Sequence, residues 1–220
     1  MTKGIFIVAT GTDVGKTYIA AELIKVLKTN GINAGYYKCA LSGAEEKEGR
    51  WIAGDAAYVF KQADLTGDPN AAVTTILKYP ASPHLSARLE NKCITLAPIL
   101  DDYHKACERY SFVVVEGSGG IICPLNLEDE YFMLTDVIKA LQLDVFLVGN
   151  AGLGAINDVL LTVAYAKQKE INVRGIILNY YDPKSIIHRD NCHVIEKMTG
   201  IKTMICQKNG ALDAEIISII

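Results

Sequence analysis

Residues 5–9, IFIVA, form an unbroken apolar run that passes directly into T-G-T-D-V-G-K-T at 10–17 and then into a helical stripe. A continuous β-branched run suits a strand buried on both faces, as in a parallel sheet, rather than a half-solvated one. Beyond it Ile19, Ala20, Leu23, Ile24 and Leu27 recur on one helical face over 17–29, and Asn30-Gly31 closes that helix. Strand, glycine-bearing loop and helix in this order make a phosphate-binding loop. Gly11 and Gly15 let the backbone turn tightly and bring N–H groups toward phosphate oxygens, and the helix N-terminus adds its positive dipole end. Lys16 can reach the β- and γ-phosphates of a nucleoside triphosphate, and the Thr17 hydroxyl can bind a Mg²⁺ ion. The usual pattern has glycine at its first position, where this chain has Thr10. The plainer reading is a chance Gly-Lys-Thr opening an ordinary helix, and the strand before and helix after argue against it.

The alternation continues along the chain. Strands are expected over 34–38, 112–116, 144–149, 173–179 and 202–206, with helices over 53–63, 155–169 and 187–198. Strand–helix alternation of this kind implies an α/β protein: a P-loop NTPase-like three-layer fold with a mostly parallel central sheet and helices on both faces. Ligands in such sheets sit at the carboxyl ends of the strands. The 220 residues fit a single domain over 1–220, with no internal repeat, low-complexity segment or linker. The charged patch over 45–50 mixes signs and reads as a solvated loop.

Composition narrows the class of function. A net charge of −3, without a basic stripe, points away from nucleic acid and anionic membrane surfaces. The longest apolar stretches are broken by Lys139, Asp144, Asn150 or Asp158, so no membrane span is expected. The six cysteines include no C-x-x-C pair and no zinc spacing, which fits thiols kept free in a reducing cytosol. The first strand begins at Ile5 and leaves no room for a signal peptide, so the expected location is cytoplasmic.

Three further charged residues fall where chemistry is expected. Glu116 ends FVVVE and precedes Gly117-Ser118-Gly119-Gly120, the layout of a second metal-binding carboxylate in P-loop enzymes. The glycines behind it suggest close backbone approach to a ligand; the alternative is a solvent-facing Glu before a flexible turn. Lys38, at the end of the second strand, would stand beside the phosphate loop and stabilise developing negative charge, or else be a surface lysine after an edge strand. Asp55, in G-D-A-A at a helix start, reads by itself as a cap or first-turn acid.

Taken together, A-T-G-T-D-V-G-K-T at 9–17, G-Y-Y-K-C-A-L-S-G at 35–43, G-D-A at 54–56, S-P-H-L-S-A at 82–87, V-E-G-S-G-G at 115–120 and G-L-G-A-I-N-D at 152–158 resemble the dethiobiotin synthetases in order and spacing. The resemblance covers most of the chain and is weakest after about residue 179. It implies an ATP- and Mg²⁺-dependent enzyme that joins CO₂ to 7,8-diaminononanoate and closes a cyclic urea. On this likeness Lys16 and Lys38 are the catalytic cations on the ATP phosphates and the reacting carbamate. Thr17, Asp55 and Glu116 hold Mg²⁺. The nucleotide meets Thr12, Asp13, Val14, Gly15, Tyr18, Gly117 and Gly119, and Asn179 reads the adenine. Thr12, Ser42, Pro83 and His84 lie along the diamine site, to which Gly154 and Asn157 reach from the neighbouring subunit of a homodimer. The chain departs from the family pattern at Cys39, where proline commonly follows the lysine, and at Asp13, often Glu.

The alternative is a regulatory, partition-type P-loop ATPase switch. Such switches commonly carry an extra lysine near the start of the loop, and A-T-G-T-D at 9–13 has none. An amide-forming ligase related to cobyrinate synthesis would need a glutamine-handling domain for which 220 residues leave no space.

Overall fold

The computed structural model of the chain describes residues 4–128 and 131–220. Its elements in order are β1 (Gly4–Ala9), α1 (Lys16–Thr29), β2 (Ala34–Ser42), β3 (Glu45–Lys47), β4 (Arg50–Ile52), α2 (Gly54–Gln62), β5 (Val73–Leu77), α3 (Pro83–Leu89), α4 (Leu96–Arg109), β6 (Phe112–Glu116), β7 (Pro124–Asn126), β8 (Phe132–Met133), α5 (Leu134–Leu141), β9 (Val145–Asn150), α6 (Ala155–Gln168), β10 (Val173–Tyr181), α7 (Ile186–Thr199) and β11 (Thr203–Gln207). Short 3₁₀ turns lie at Pro69–Ala72 and Ala214–Ile219.

Seven strands form one sheet in the order β11-β10-β9-β1-β6-β2-β5, and every neighbouring pair is parallel. The apolar run of β1 explains its central place. Phe6 and Val8 enter a core with Ile99 and Tyr103 of α4, Leu134 and Val137 of α5 and Val159 of α6. Ile5, Ile7 and Ala9 enter the opposite core with Ile19 and Leu23 of α1 and Val59 of α2. A strand buried on both faces must be apolar at every position, which is why alternation is lost there. The three-layer arrangement is the expected one. Among the described residues no helix is long and apolar enough to cross a membrane.

Two local expectations are corrected. The second strand runs to Ser42, four residues past Lys38, because its distal half pairs with β5 from Lys38 opposite Val73 to Ser42 opposite Leu77. β5 is an outer strand of sequence VTTIL whose mixed pattern gives little periodic signal. Lys38 therefore sits within a strand flanked on both sides and does not end an edge strand. The stretch over 45–50 is not a loop but most of an antiparallel hairpin, with Glu45 opposite Ile52 and Lys47 opposite Arg50. Its turn residues Glu48 and Gly49 both have positive φ, 52° and 77°, the backbone sense that matches strand twist in a two-residue hairpin. Charge led the stretch to read as loop; its exposure was read correctly, since Glu45 to Arg50 are solvent-facing.

Candidate active site

The phosphate loop leaves β1 at the middle of the sheet, between β6 and β9. Thr10 continues the pairing by donating its N–H to Val148 O at 3.0 Å. Gly15 caps α1 with φ 94°, and a Cβ built there would lie 2.1 Å from Asn179 Nδ2. Both the left-handed backbone and the close approach require glycine. Gly11 is under no such demand: its φ is not in the left-handed range and a Cβ there would meet nothing within 4 Å. Asn179 ties the loop to β10 by donating from Nδ2 to Val14 O at 2.9 Å. Lys16 is 7% exposed and folds back to donate to Gly11 O at 3.2 Å. Burial lowers its pKa; Glu116 opposes that shift and Lys38 adds to it.

Beside the loop, the middle of β2 and the carboxyl end of β6 bring together a charged cluster that burial makes unusual. Glu116 is 1% exposed and Lys38 4%. Lys38 Nζ lies 2.7 Å from Glu116 Oε1 and 2.7 Å from Asp55 Oδ2. Thr17 Oγ1 donates to the same Glu116 Oε1 at 2.8 Å, and the Tyr36 hydroxyl donates to Glu116 Oε2 at 2.8 Å. Burial works against the Lys38 ammonium, but Glu116 and then Asp55 outweigh it and raise its pKa above the ordinary lysine value. The register places Lys38 opposite Glu116 on the adjacent strand, so the ion pair follows directly from sheet pairing. Asp55 arrives from the first turn of α2, whose N-cap is Ala53.

These groups face a cleft of about 1070 Å³. Thr12, Asp13, Gly15, Lys16, Thr17 and Tyr18 line it from the phosphate loop and α1. Lys38, Ser42 and Asp55 line it from β2 and α2, Pro83 from α3, and Glu116 and Gly119 from β6 and the turn beyond. Val14 and Asn179 stand just behind this wall. The buried Oδ1 of Asn179 has no hydrogen-bond partner among the described residues.

The remaining expected residues are elsewhere. Gly117 does not line the cleft; a Cβ there would lie 3.0 Å from Leu134 Cδ2 and 3.2 Å from Ile7 O, so packing demands this glycine. His84 faces a separate cleft of about 200 Å³ beside Arg88, Cys93 and Asn126. Gly154 and Asn157 are exposed at the start of α6 and do not reach the cleft of their own chain. Cys39 points into the core, fully buried, and burial pushes its thiol up to about 11, so it acts as a small apolar filler.

Sequence reasoning missed Tyr36, Tyr58 and Tyr180. Tyr36 had a signal, since it lies two residues before Lys38 and so on the same side of β2. Tyr58 and Tyr180 line the cleft and had none; Tyr180 lies within a register break in β10.

The donor set fits Mg²⁺. Thr17, Asp55 and Glu116 offer hard oxygens only, and among the described residues no trio of His, Cys, Asp or Glu forms a closed cage. Mg²⁺ is typically held this way, by one or two carboxylates completed with phosphate and water oxygens. The ammonium between the two carboxylates marks where positive charge is balanced.

A family profile described as an AAA domain matches residues 3–207. The chain is 48% identical over 208 residues, 94% of its length and 92% of the relative's, to the ATP-dependent dethiobiotin synthetase BioD of Clostridium botulinum (strain Alaska E43 / Type E3). It is 47% identical over 209 residues, 95% and 92% of the two chains, to the enzyme of the same name from strain ATCC 19397 / Type A. Among solved structures it resembles a ParA family ATPase from Chlorobium tepidum TLS, with TM-score 0.55 and 16% identity over 99% of this chain and 93% of that one. It also resembles chloroplast FtsY from Physcomitrella patens, with TM-score 0.53 and 19% identity over 98% and 63%. At those identities the two structures speak for the fold alone. Identity near one half along almost the whole of both sequences, on a P-loop fold with this buried charge cluster, makes the chain a member of the ATP-dependent dethiobiotin synthetase family.

Proposed function

We propose that the chain carboxylates 7,8-diaminononanoate with CO₂ and closes the ring to dethiobiotin, using ATP and Mg²⁺. The observation that carries this reading is Lys38, buried at the edge of the phosphate loop between Glu116 and Asp55.

One amine of the substrate captures CO₂ as a carbamate, releasing a proton. A carbamate oxygen attacks the γ-phosphorus and ADP leaves, giving a carbamic–phosphoric anhydride. The second amine attacks the carbamoyl carbon, phosphate departs with the carbamate oxygen that it had accepted, and the nitrogen loses a proton as the urea closes. Phosphoryl transfer of this kind depends on positioning and charge neutralisation more than on acid–base groups. Lys16, swung from Gly11 O, neutralises the β/γ oxygens, and Lys38 stabilises the carbamate oxygen and the transferred phosphoryl group. Thr17, Asp55 and Glu116 hold Mg²⁺, which supplies Lewis-acid neutralisation of the phosphates. Thr12, Asp13, Gly15, Tyr18 and Gly119 border the nucleotide, with Val14 supporting the loop from behind and Gly117 setting the turn. Asn179 reads the adenine, an assignment supported by its unpartnered, buried Oδ1. Thr12, Ser42 and Pro83 border the diamine, with His84 behind them.

Gly154 and Asn157 serve the site of a neighbouring subunit in a homodimer. Their exposure supports this, as do the large apolar side chains left in water nearby, Leu153 at 88% exposure and Leu161 at 63%. The setting is the cytoplasm.

The deciding experiment is ADP release by the purified protein with Mg²⁺, ATP and bicarbonate, with and without 7,8-diaminononanoate. Diamine-dependent release with a product of the mass of the cyclic urea is expected. ADP release that ignores the diamine would overturn the reading in favour of a switch ATPase.

A further inference from the structure

Tyr36 is 1% exposed, and nothing in the phosphate chemistry calls for it. Its ring belongs to the core formed by β1, α1 and α2. A phenylalanine would fill that space without a polar atom to desolvate, and a buried hydroxyl is costly unless partnered. Here the partner is Glu116 Oε2, at 2.8 Å. We propose that Tyr36 is a positioning residue for the metal-binding carboxylate: its hydroxyl occupies Oε2 of Glu116 and turns Oε1 toward Thr17, Lys38 and the cation. The inference rests on the reading of Glu116 as a metal ligand.

Three observations support it. The two oxygens of Glu116 have divided roles, since Oε1 accepts both Thr17 at 2.8 Å and Lys38 at 2.7 Å while Oε2 accepts Tyr36. The register makes the contact a property of the sheet: Lys38 is opposite Glu116, Tyr36 is opposite Val114, and residues two apart in a strand share a face. Lysine and tyrosine therefore hold the carboxylate from one side of β2 with no loop involved. Among the described residues the hydroxyl makes no other hydrogen bond, so Glu116 Oε2 is its one polar partner. Fixing a ligand through an outer partner in this way is worth about 10- to 100-fold in metal affinity where it has been removed.

The test is Mn²⁺ binding by the full chain in the presence of a non-hydrolysable ATP analogue, read by electron paramagnetic resonance. Wild type, Tyr36→Phe, Glu116→Gln and the double variant are compared, each with a melting curve. Tyr36→Phe is expected to raise the Mn²⁺ dissociation constant about tenfold. At saturating Mg²⁺ its kcat should stay close to wild type, so the change falls on the metal requirement. In the Glu116→Gln background the tyrosine substitution should add nothing. Wild-type Mn²⁺ affinity in Tyr36→Phe beside a weakened Glu116→Gln overturns the inference, whatever the melting temperature does, and so does an additive double variant. Wild-type affinity in Glu116→Gln removes the ligand assignment itself.

Discussion

Lys16 and Lys38 are both buried cations of one cleft, and their surroundings set them apart. Lys38 is clamped by two carboxylates, whereas Lys16 rests on a neutral carbonyl and loses basicity to burial. Substituting either with alanine is expected to lower kcat by about 10²–10³, as for loss of a transition-state charge contact. Their effects on stability should differ. Lys38→Ala leaves the buried Glu116 without its counter-charge and should cost about 3–5 kcal/mol. Lys16→Ala strands no charged partner and should cost less stability than Lys38→Ala. Steady-state turnover and urea denaturation on the same two preparations check both halves. Equal losses of stability would mean that the clamp on Lys38 is not energetically coupled to the fold.

Among the elements, the phosphate loop and the start of α2 carry the geometry. Gly15→Ala meets a positive φ of 94° and the Asn179 amide at 2.1 Å, so the loop must shift to accept a methyl group. We expect a loss of about 1–3 kcal/mol and weaker nucleotide binding, measured by denaturation and by titration with an ATP analogue. The helix that delivers Asp55 is anchored by Asn70, whose Oδ1 accepts the Ala53 N–H at 2.9 Å and whose Nδ2 donates to Trp51 O at 2.8 Å. One side chain thus joins the hairpin to the helix N-terminus. Asn70→Ala should cost about 1–2 kcal/mol, two modest hydrogen bonds, and should raise the Mg²⁺ concentration needed for half-maximal activity. An unchanged metal titration would show that α2 holds Asp55 in place without this brace.

At the scale of the molecule, α6 and α7 pack on one another while leaving Leu161 at 63% and Ile186 at 73% exposure. Large apolar side chains in water on neighbouring helices are what a subunit contact would cover. Light scattering should give twice the mass of one chain for wild type and a single chain for Leu161→Glu. If Gly154 and Asn157 serve a neighbour's cleft as proposed, the variant should also show a raised KM for the diamine. A wild-type monomer with full activity would rule out the shared site.

The sequence by itself determined the core strands and the phosphate loop. IFIVA and FVVVE read as buried parallel strands because every position in them is apolar or at the strand's end, and Gly-Lys-Thr between strand and helix has few other uses. It did not reveal the outer strand VTTIL, whose mixed residues follow from a half-buried position, nor the hairpin at Glu45–Lys47 and Arg50–Ile52, whose charges mask its pairing. Asp55 shows most clearly what was left to tertiary structure. Locally it is a first-turn acid like many others, and only the packing of α2 on β2 brings it to 2.7 Å from Lys38. The burial of Lys38 is likewise set by what stands opposite it across the sheet, Glu116 on the neighbouring strand. That pairing joins residues as far apart as 38 and 116, a separation that no local pattern encodes.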